Sequence, residues 1–348
     1  MLAKRVEIMD FNFILEKTVG IRDLQAEELE FAMQEIVNGR ISDIKIAAFI
    51  TALKTKGEKA SEIAAIAEFM RKHSTKVKTN AKYLVDTAGT GGDNSKTFNV
   101  STCAALVAAA SGITVAKHGN RAISSNCGSA DALEELGVGI CTDAKTAEMQ
   151  LNEINIAFLF APAFHPTMKK VAAVRKELGF KSIFNLAGPL TNPANAKKQI
   201  IGVYDKEVQD KIAEALQILG TEKSIVANSN IDEISISEKT RILEISGNKI
   251  EEYFIEPEDF GFKKQNLGKI LVENKTGSAR MILEVLNGRE GAARDITVLN
   301  AGAAIYASSF VNSIGKGISL AEKAIDSGKA FEKLEMLRNF NKQIVHTG

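Results

Sequence analysis

What this 348-residue chain has little of narrows it first. Its three cysteines, Cys103, Cys127 and Cys141, are odd in number and lack C-x-x-C spacing. That excludes a disulfide framework and a cysteine zinc site, and it fits a reducing cytoplasm. No apolar run approaches the roughly 18 residues needed to cross a bilayer, so no membrane partner is expected. The opening "MLAKRVEIMDFNFILEK" sets charges on both sides of a short apolar patch and has no small-residue cleavage site. It does not read as a signal peptide, and Met9 offers an alternative start. Net charge is only +1, with Lys and Arg dispersed among the acids. The positive stripe that neutralises a nucleic-acid backbone is missing, so no nucleic-acid partner is expected and any bound anion is small. Repeats and low-complexity tracts are absent as well. With 45% hydrophobic and 25% charged residues, what remains is an ordinary soluble protein, long enough for two domains or for one with a sizeable subdomain.

The first 75 residues or so read as helices. Leu29, Ala32, Met33, Ile36 and Val37 share one face and stop at Gly39. Ser42 caps a second helix with Ile46, Phe49, Ile50 and Leu53 inward and Gly57 as its stop, and Ser61 caps a third through Met70. After Lys78 the texture changes. "YLVDT", "ITVAK", "VGIC", "IAFLF", "IIGVY" and "SIVAN" are short, apolar and bounded by turn residues, and they read as strands. Helical stretches such as "TDAKTAEMQLNEI" and "EVQDKIAEALQIL" separate them, which predicts a mostly parallel sheet covered by helices on both faces. "TRILEISGNKIEEYFIEP" breaks the rhythm as a hairpin around Gly247-Asn248, and helices return from Gly277 to the end. The fold class is therefore α/β, with a small N-terminal helical layer against a larger domain.

Four stretches carry chemistry. "DTAGTGGDNSKTFNVST", Asp86 to Thr102, sits where a buried strand hands over to a helix. It is neither a dinucleotide fingerprint, since Asn94 stands where a third glycine would be needed, nor a P-loop, since no Gly-Lys-Ser/Thr follows. What remains is a backbone free to turn successive N–H groups toward an anion, with Asn99, Ser101 and Thr102 at the next helix start: a phosphate site. "VAKHGNRAISSNCGSADALEELG" follows another strand. It gathers Lys117, His118 and Arg121 with the neutral donors Asn120, Ser124, Ser125 and Ser129 at the same sheet edge, where ligands of open parallel sheets collect. Two adjacent anion loops imply a ligand with a diphosphate and a phosphate. Asp232-Glu233 in "NIDEIS" lies on a loop, where both carboxylates can face one Mg²⁺ beside a diphosphate. In "APAFHPTMKKVAAVRKELGFKSIFNLAGPLTNP", His165-Pro166 opens a helix carrying Arg175, and spacing alone assigns that arginine no role.

Together these stretches resemble the anthranilate phosphoribosyltransferases, a family of the nucleoside-phosphorylase-like phosphoribosyltransferase class. The resemblance runs in order through "NGRISDIKIAAFITALKTKGE", "GTGGD", "TFNVST", "AKHGNRAISS", "GSADALEELG", "HPTM", "FNLAGPLTNP", "DEIS", "PEDFG" and "AIDSGKAFEKLE", nearly the whole chain. It implies a helical domain over residues 9–78, completed by helices from about 166–195, packed against an α/β domain over 79–348 built on a mostly parallel central sheet. The activity implied is transfer of the 5-phosphoribosyl group of phosphoribosyl diphosphate to the amine of anthranilate, with Mg²⁺, in tryptophan biosynthesis. Such enzymes pair as homodimers through their helical domains.

Carried over by motif, Gly89, Gly92, Asp93, Thr97, Asn99, Val100, Ser101 and Thr102 would bind the donor. So would Lys117, His118, Gly119, Asn120, Arg121, Ala122, Ile123, Ser124, Ser125 and Ser129. Ser101, Asp232 and Glu233 would serve the metal. Gly89, Asn120, His165 and Arg175 would meet anthranilate, with Lys117, Asn120 and Arg175 acting by position and charge. The chain departs from the family where "LGPL" is usual and Ala187-Gly188-Pro189-Leu190 stands, at Lys181 where arginine is frequent, and before Asp232, where "NSNIDE" replaces a Gly-rich "GLDE". A pyrimidine nucleoside phosphorylase of the same fold would carry an "SGRGLGHTGGT"-like signature, and this chain has none.

Overall fold

The helical layer begins one helix earlier than its periodicity indicates. In the computed structural model, which describes residues 9–91, 95–122, 127–140 and 143–345, α1 (Phe11–Val19) starts at Asp10, whose carboxylate accepts the Phe13 N–H at 2.7 Å. Helices α2 (Ala26–Val37), α3 (Asp43–Lys56) and α4 (Ala60–Lys72) follow. Gly39 and Gly57 lie just beyond two helix ends at positive φ, as their spacing implies. Ser61 is not a cap. Buried Glu62 sets that helix start instead, accepting the Lys59 N–H, the Leu24 N–H and the Lys56 ammonium, each at 2.9 Å. A carboxylate that must satisfy three donors out of water fixes the chain more firmly than an exposed hydroxyl.

The α/β part runs β1 (Leu84–Gly89), α5 (Val100–Ala110), β2 (Thr114–Gly119), α6 (Ser129–Glu135), α7 (Ala144–Glu153) and β3 (Ile156–Phe160). Short α8 (Ala161–Phe164), α9 (Lys169–Leu178) and α10 (Ile183–Ala187) precede β4 (Lys198–Val203), α11 (Lys206–Ile218) and β5 (Lys223–Asn228). The hairpin β6 (Thr240–Ser246) and β7 (Lys249–Ile255) turns where the sequence places it. Helices α12 (Lys275–Leu286), α13 (Ala292–Ala307), α14 (Ile314–Asp326) and α15 (Lys329–Val345) close the chain. "VGIC" is not a strand: Val138 and Ile140 are buried but irregular, and Cys141 lies outside the described residues. An apolar run that short is compatible with any buried segment.

The sheet order is β3-β2-β1-β4-β5-β6-β7, parallel as far as β5 and antiparallel beyond it. The chain moves outward from β1 through β2 to β3, then returns to set β4 on the other side of β1. That reversal is where open α/β sheets admit ligands. β1 pairs with β2 only at Leu84 and Val85, and from Asp86 to Gly89 it pairs with β4. β1 and β2 thus fork toward their C-terminal ends.

One face of the sheet (Val85, Val115, Ile156, Ile225, Ile242) packs on α5 and α12–α15. The other face (Ile201, Val203, Val226, Leu243) shares a continuous core with α11, α1–α4 and residues of α9 and α10 such as Val171, Val174 and Phe184. The helical bundle is therefore seated directly against the α/β domain, and the α9–α10 segment is wedged where they meet.

Candidate active site

The fork is filled by charge. Asp86, with no exposed surface, accepts the His118 N–H at 3.0 Å, a bond that takes the place of the broken ladder. Lys117 reaches across from β2, its ammonium 2.6 Å from the Thr87 carbonyl and 3.2 Å from the Ser101 hydroxyl. Burial lowers the Lys117 pKa to about 8, against the pull of Asp86 and Glu233. Burial also raises Asp86 to about 6, against hydrogen bonds from Asn192 and His118. Each is the direction desolvation gives to a charged form.

Above the fork lies a polar cavity of about 250 Å³. Gly89 to Gly91 form one wall and the start of α5 another. There Asn99 caps the helix, its side-chain Oδ1 accepting the Thr102 N–H at 3.1 Å, while Thr97 makes an isolated bridge to Leu271. Val100 and Ser101 therefore present helix-start backbone to the cavity. Lys117 to Ala122 and Ser129 complete the rim, and Asp232 and Glu233 close it from the loop after β5. Thr102 is buried behind this wall. The second loop is stapled at its stem by Asp131, whose Oδ2 accepts the Ala122 and Gly128 N–H groups at 2.9 Å each. At Gly128 an added Cβ would sit 2.3 Å from the Ala122 nitrogen, so only glycine fits.

Arg121 is exposed at the edge of this wall. It rims the cavity, but its guanidinium is paired with Glu134, at 2.7 Å through Nη2, and stands over the Phe160 ring. Gly92, Asp93, Ile123, Ser124 and Ser125 lie outside the described residues.

A second, larger cavity of about 560 Å³ adjoins the first and shares Gly89, Thr90, His118, Gly119, Asn120 and Asn185 with it. Its other walls are Met70, Pro162, Pro166, Met168, Ala172, Phe184 and Pro189, mostly apolar and drawn from α4 and the α8–α10 segment. His165 and Arg175 line it too. Arg175 donates to Asn185 Oδ1 at 3.0 Å and stands 5.6 Å from the Phe184 ring, while its buried Nε has no acceptor among the described residues. Desolvation holds its pKa below the ordinary arginine value, and no carboxylate pairs with it among the described residues. His118 and His165 are buried with ring centroids 5.2 Å apart.

The oxygen donors suit a hard divalent cation. Asp232, Glu233 and the Ser101 hydroxyl line one cavity, and two carboxylates leave the remaining positions to water and substrate phosphates. Among the described residues there is no cluster of three or more metal-binding side chains.

Residues 12–74 match the glycosyl transferase family helical bundle domain and residues 81–331 the glycosyl transferase family a/b domain. The chain is 44% identical to the anthranilate phosphoribosyltransferase of Petrotoga mobilis over 332 residues, 95% of this chain and 96% of that one. It is 46% identical to that of Methanocorpusculum labreanum, covering 93% and 96%. The chain belongs to the anthranilate phosphoribosyltransferase family.

Family members of known structure have the same fold. The crystal structure of anthranilate phosphoribosyltransferase from Thermus thermophilus superposes with a TM-score of 0.88 at 38% identity, covering 94% of this chain and 98% of that one. The Saccharomyces cerevisiae anthranilate phosphoribosyltransferase in complex with PRPP and Mg does so with a TM-score of 0.87 at 29% identity, covering 96% and 99%. Against this family frame, the residues that sequence reasoning left without a role are Asp86, Asp131 and Gly128. Asp86 is the first of two aspartates in the quoted motif, and a carboxylate directly after the apolar run Leu84-Val85 was the available signal. Asp131 could be read only as the third residue of a helix after Gly128, and no pattern linked it to Ala122.

Proposed function

We propose that the polar cavity holds the phosphoribosyl diphosphate and the apolar cavity holds anthranilate, with the two substrates meeting over Gly89 and Asn120. The chain is a Mg²⁺-dependent phosphoribosyltransferase that transfers the 5-phosphoribosyl group of phosphoribosyl diphosphate to the amine of anthranilate, a step of tryptophan biosynthesis. One observation carries the assignment of cavities: a polar and an apolar cavity share one rim at the sheet's topological switch point.

In this reading the glycine-loop backbone, the start of α5 and Lys117 receive the diphosphate and phosphate oxygens, with Thr97, Asn99, Ser129 and the 118–122 backbone completing the cradle. The loop residues Gly92, Asp93 and Ile123 to Ser125 belong to the same reading by motif. Asp232, Glu233 and Ser101 hold the Mg²⁺. The bound ion supplies positive charge to offset the charge gathering on the departing diphosphate.

Arg175 takes the anthranilate carboxylate as a fork, which gives its buried N–H groups an anionic partner. Asn120 and His165 line the amine's approach. The amine nitrogen then forms its bond to the anomeric carbon as the carbon–oxygen bond to diphosphate breaks, and the nitrogen sheds a proton to solvent. The aromatic amine is already nucleophilic, so positioning and preorganised charge carry the rate. Burial keeps His118 and His165 neutral, so neither adds repulsive charge along the amine's path.

The same reading divides the chain into a helical domain, 9–78 completed by about 166–195, and an α/β domain, 79–348, and pairs two copies through the helical domain. Val19, Ile21 and Ile44 are exposed apolar side chains on that domain, which supports the pairing. Light scattering at the mass of a dimer is the expected result, and a monomer at micromolar concentration would exclude it.

Anthranilate fluorescence should fall when phosphoribosyl diphosphate and Mg²⁺ are added together, and should hold when either is omitted. Fluorescence unchanged in the complete mixture overturns the function.

A further inference from the structure

The loop carrying Asp232 and Glu233 crosses β4 at Gly202. This glycine pairs with Gly89 on one side and Ala227 on the other, and its carbonyl accepts the Thr90 N–H at 3.0 Å. A Cβ built on it would lie 1.5 Å from the Asp232 carbonyl oxygen, 2.5 Å from its carbonyl carbon and 3.3 Å from the Glu233 nitrogen. Gly202 is not among the residues with positive φ, so what it supplies is room for a second backbone. From the other side the acid loop is clamped. Ser229 Oγ lies 3.0 Å from the carbonyl oxygens of both Ile231 and Glu233 and accepts the Ile231 N–H at 3.2 Å. Buried Asn300, on α13, brackets Ile234, accepting its N–H at 3.0 Å and donating to its carbonyl at 2.9 Å.

We propose that Gly202 is a positioning residue for the metal end of the site, with Ser229 and Asn300 holding the loop down upon it. Its carbonyl fixes the glycine loop and its bare α-carbon fixes the acid loop, so one residue sets the distance between the anion cradle and the carboxylates. The inference rests on the reading that Asp232 and Glu233 hold Mg²⁺. Any side chain at 202 must lift the Asp232 backbone, because a Cβ at 1.5 Å from backbone oxygen leaves no flexible group to yield.

Three variants test it, Gly202→Ala, Ser229→Ala and Asp232→Asn with Glu233→Gln, by two readouts. The first is the Mg²⁺ concentration giving half-maximal activity. The second, which needs no turnover, is the extra rise in melting temperature that phosphoribosyl diphosphate gives with Mg²⁺ over that with EDTA. The acid double variant should lose the Mg²⁺-dependent part of that rise. Gly202→Ala should raise the Mg²⁺ midpoint tenfold or more and shrink the Mg²⁺-dependent rise, leaving the Michaelis constant for anthranilate within about twofold. Ser229→Ala, which loosens the loop without entering the core, should move the midpoint two- to fivefold the same way. Added to the acid double variant, Gly202→Ala should have no further effect on Mg²⁺ dependence, the non-additivity expected of residues acting as a unit.

A folded Gly202→Ala protein with the parental Mg²⁺ midpoint overturns the proposal. If that variant does not fold, a Ser229→Ala protein with the parental midpoint does so. An acid double variant that keeps the Mg²⁺-dependent rise fails the metal reading itself, and is told apart because it occurs with Gly202 intact.

Discussion

The two cavities share a rim yet are made of different material. The polar one is framed by strand ends, a helix start and tight glycine-bearing loops at the C-terminal edge of the sheet, with Lys117, Asp232 and Glu233 adding charge. The apolar one is built from side chains of α4, just before β1 in the chain, and of the α8–α10 segment, well after it, which packing brings together. Backbone sites need particular residues at fixed local spacing, so they leave motifs. Side-chain sites need only a suitable surface at the right place in space, and they leave almost none.

The largest effect should come from the acidic edge of the polar cavity. Replacing Asp232 by Asn and Glu233 by Gln should lower turnover at fixed Mg²⁺ by roughly a hundredfold or more, on the order of 3 kcal/mol or above at about 1.4 kcal/mol per decade. The fold should survive, because both acids are only half-buried on a loop. Circular dichroism and a Mg²⁺ titration check this. A parental titration curve would remove the metal from this edge.

Arg175 sharpens the comparison from the other side. A bidentate contact to a carboxylate in a partly dry cavity contributes about 1.5–3 kcal/mol. Arg175→Ala should therefore raise the Michaelis constant for anthranilate roughly ten- to a hundredfold, with that for the phosphoribosyl donor changed much less. Lys should rescue only in part, since it lacks the fork. Both constants within about twofold of parental would leave the apolar cavity without its anion partner. A rise confined to the donor's constant would place Arg175 in the polar cavity instead.

How much could be read from the sequence follows the same division. The glycine loop, the Asn99 helix start and the hairpin at Gly247-Asn248 were legible because each obeys a local rule. "VGIC" was misread because four apolar residues carry no period, and Ser61 because a buried carboxylate, Glu62, outweighed a hydroxyl. Arg175 gained a role only through family resemblance. Its environment of Phe184, Asn185 and Pro189 is assembled across a bend that no spacing encodes. Gly202 carried a signal, an isolated glycine in an apolar strand, whose purpose appears only once the acid loop is seen lying on it.

A middling effect tests whether the polar cavity is truly a backbone site. Gly91 has φ +64°, and among the described residues nothing lies within 4 Å of an added Cβ. Gly91→Val would thus be strained without clashing, costing about 1–2 kcal/mol in the left-handed region and more for a β-branched side chain. Donor affinity should fall about tenfold as the loop relaxes away from the phosphates. Isothermal titration with phosphoribosyl diphosphate measures it. Unchanged affinity at unchanged stability would reduce the loop to a turn.

A last test leaves activity aside and uses pH to ask whether the apolar cavity is dry. Burial pushes the His118 imidazole down to about 3, with His165 and Lys117 adding to the shift. Burial likewise pushes His165 down to about 4, with Lys76 adding and a hydrogen bond from the ring to the Thr191 backbone opposing. Both values lie below the ordinary 6.5, so the stability these rings contribute is full above pH 6.5 and is lost as pH falls through the folded values. Asp86, whose backbone partner is His118, moves the other way. Raised from 3.8 to about 6, it contributes fully below pH 3.8 and loses that contribution as pH rises through 6. On acidification from about pH 6 toward 4, the gain from Asp86 offsets the loss from one imidazole. The net loss is then on the order of 1.4 kcal/mol per pH unit at most. Urea unfolding across this range should show that decline, and His118→Gln should flatten it. Stability that stays level or rises on acidification would mean that at least one ring is hydrated, and the desolvation that makes Arg175 seek a carboxylate would go with it.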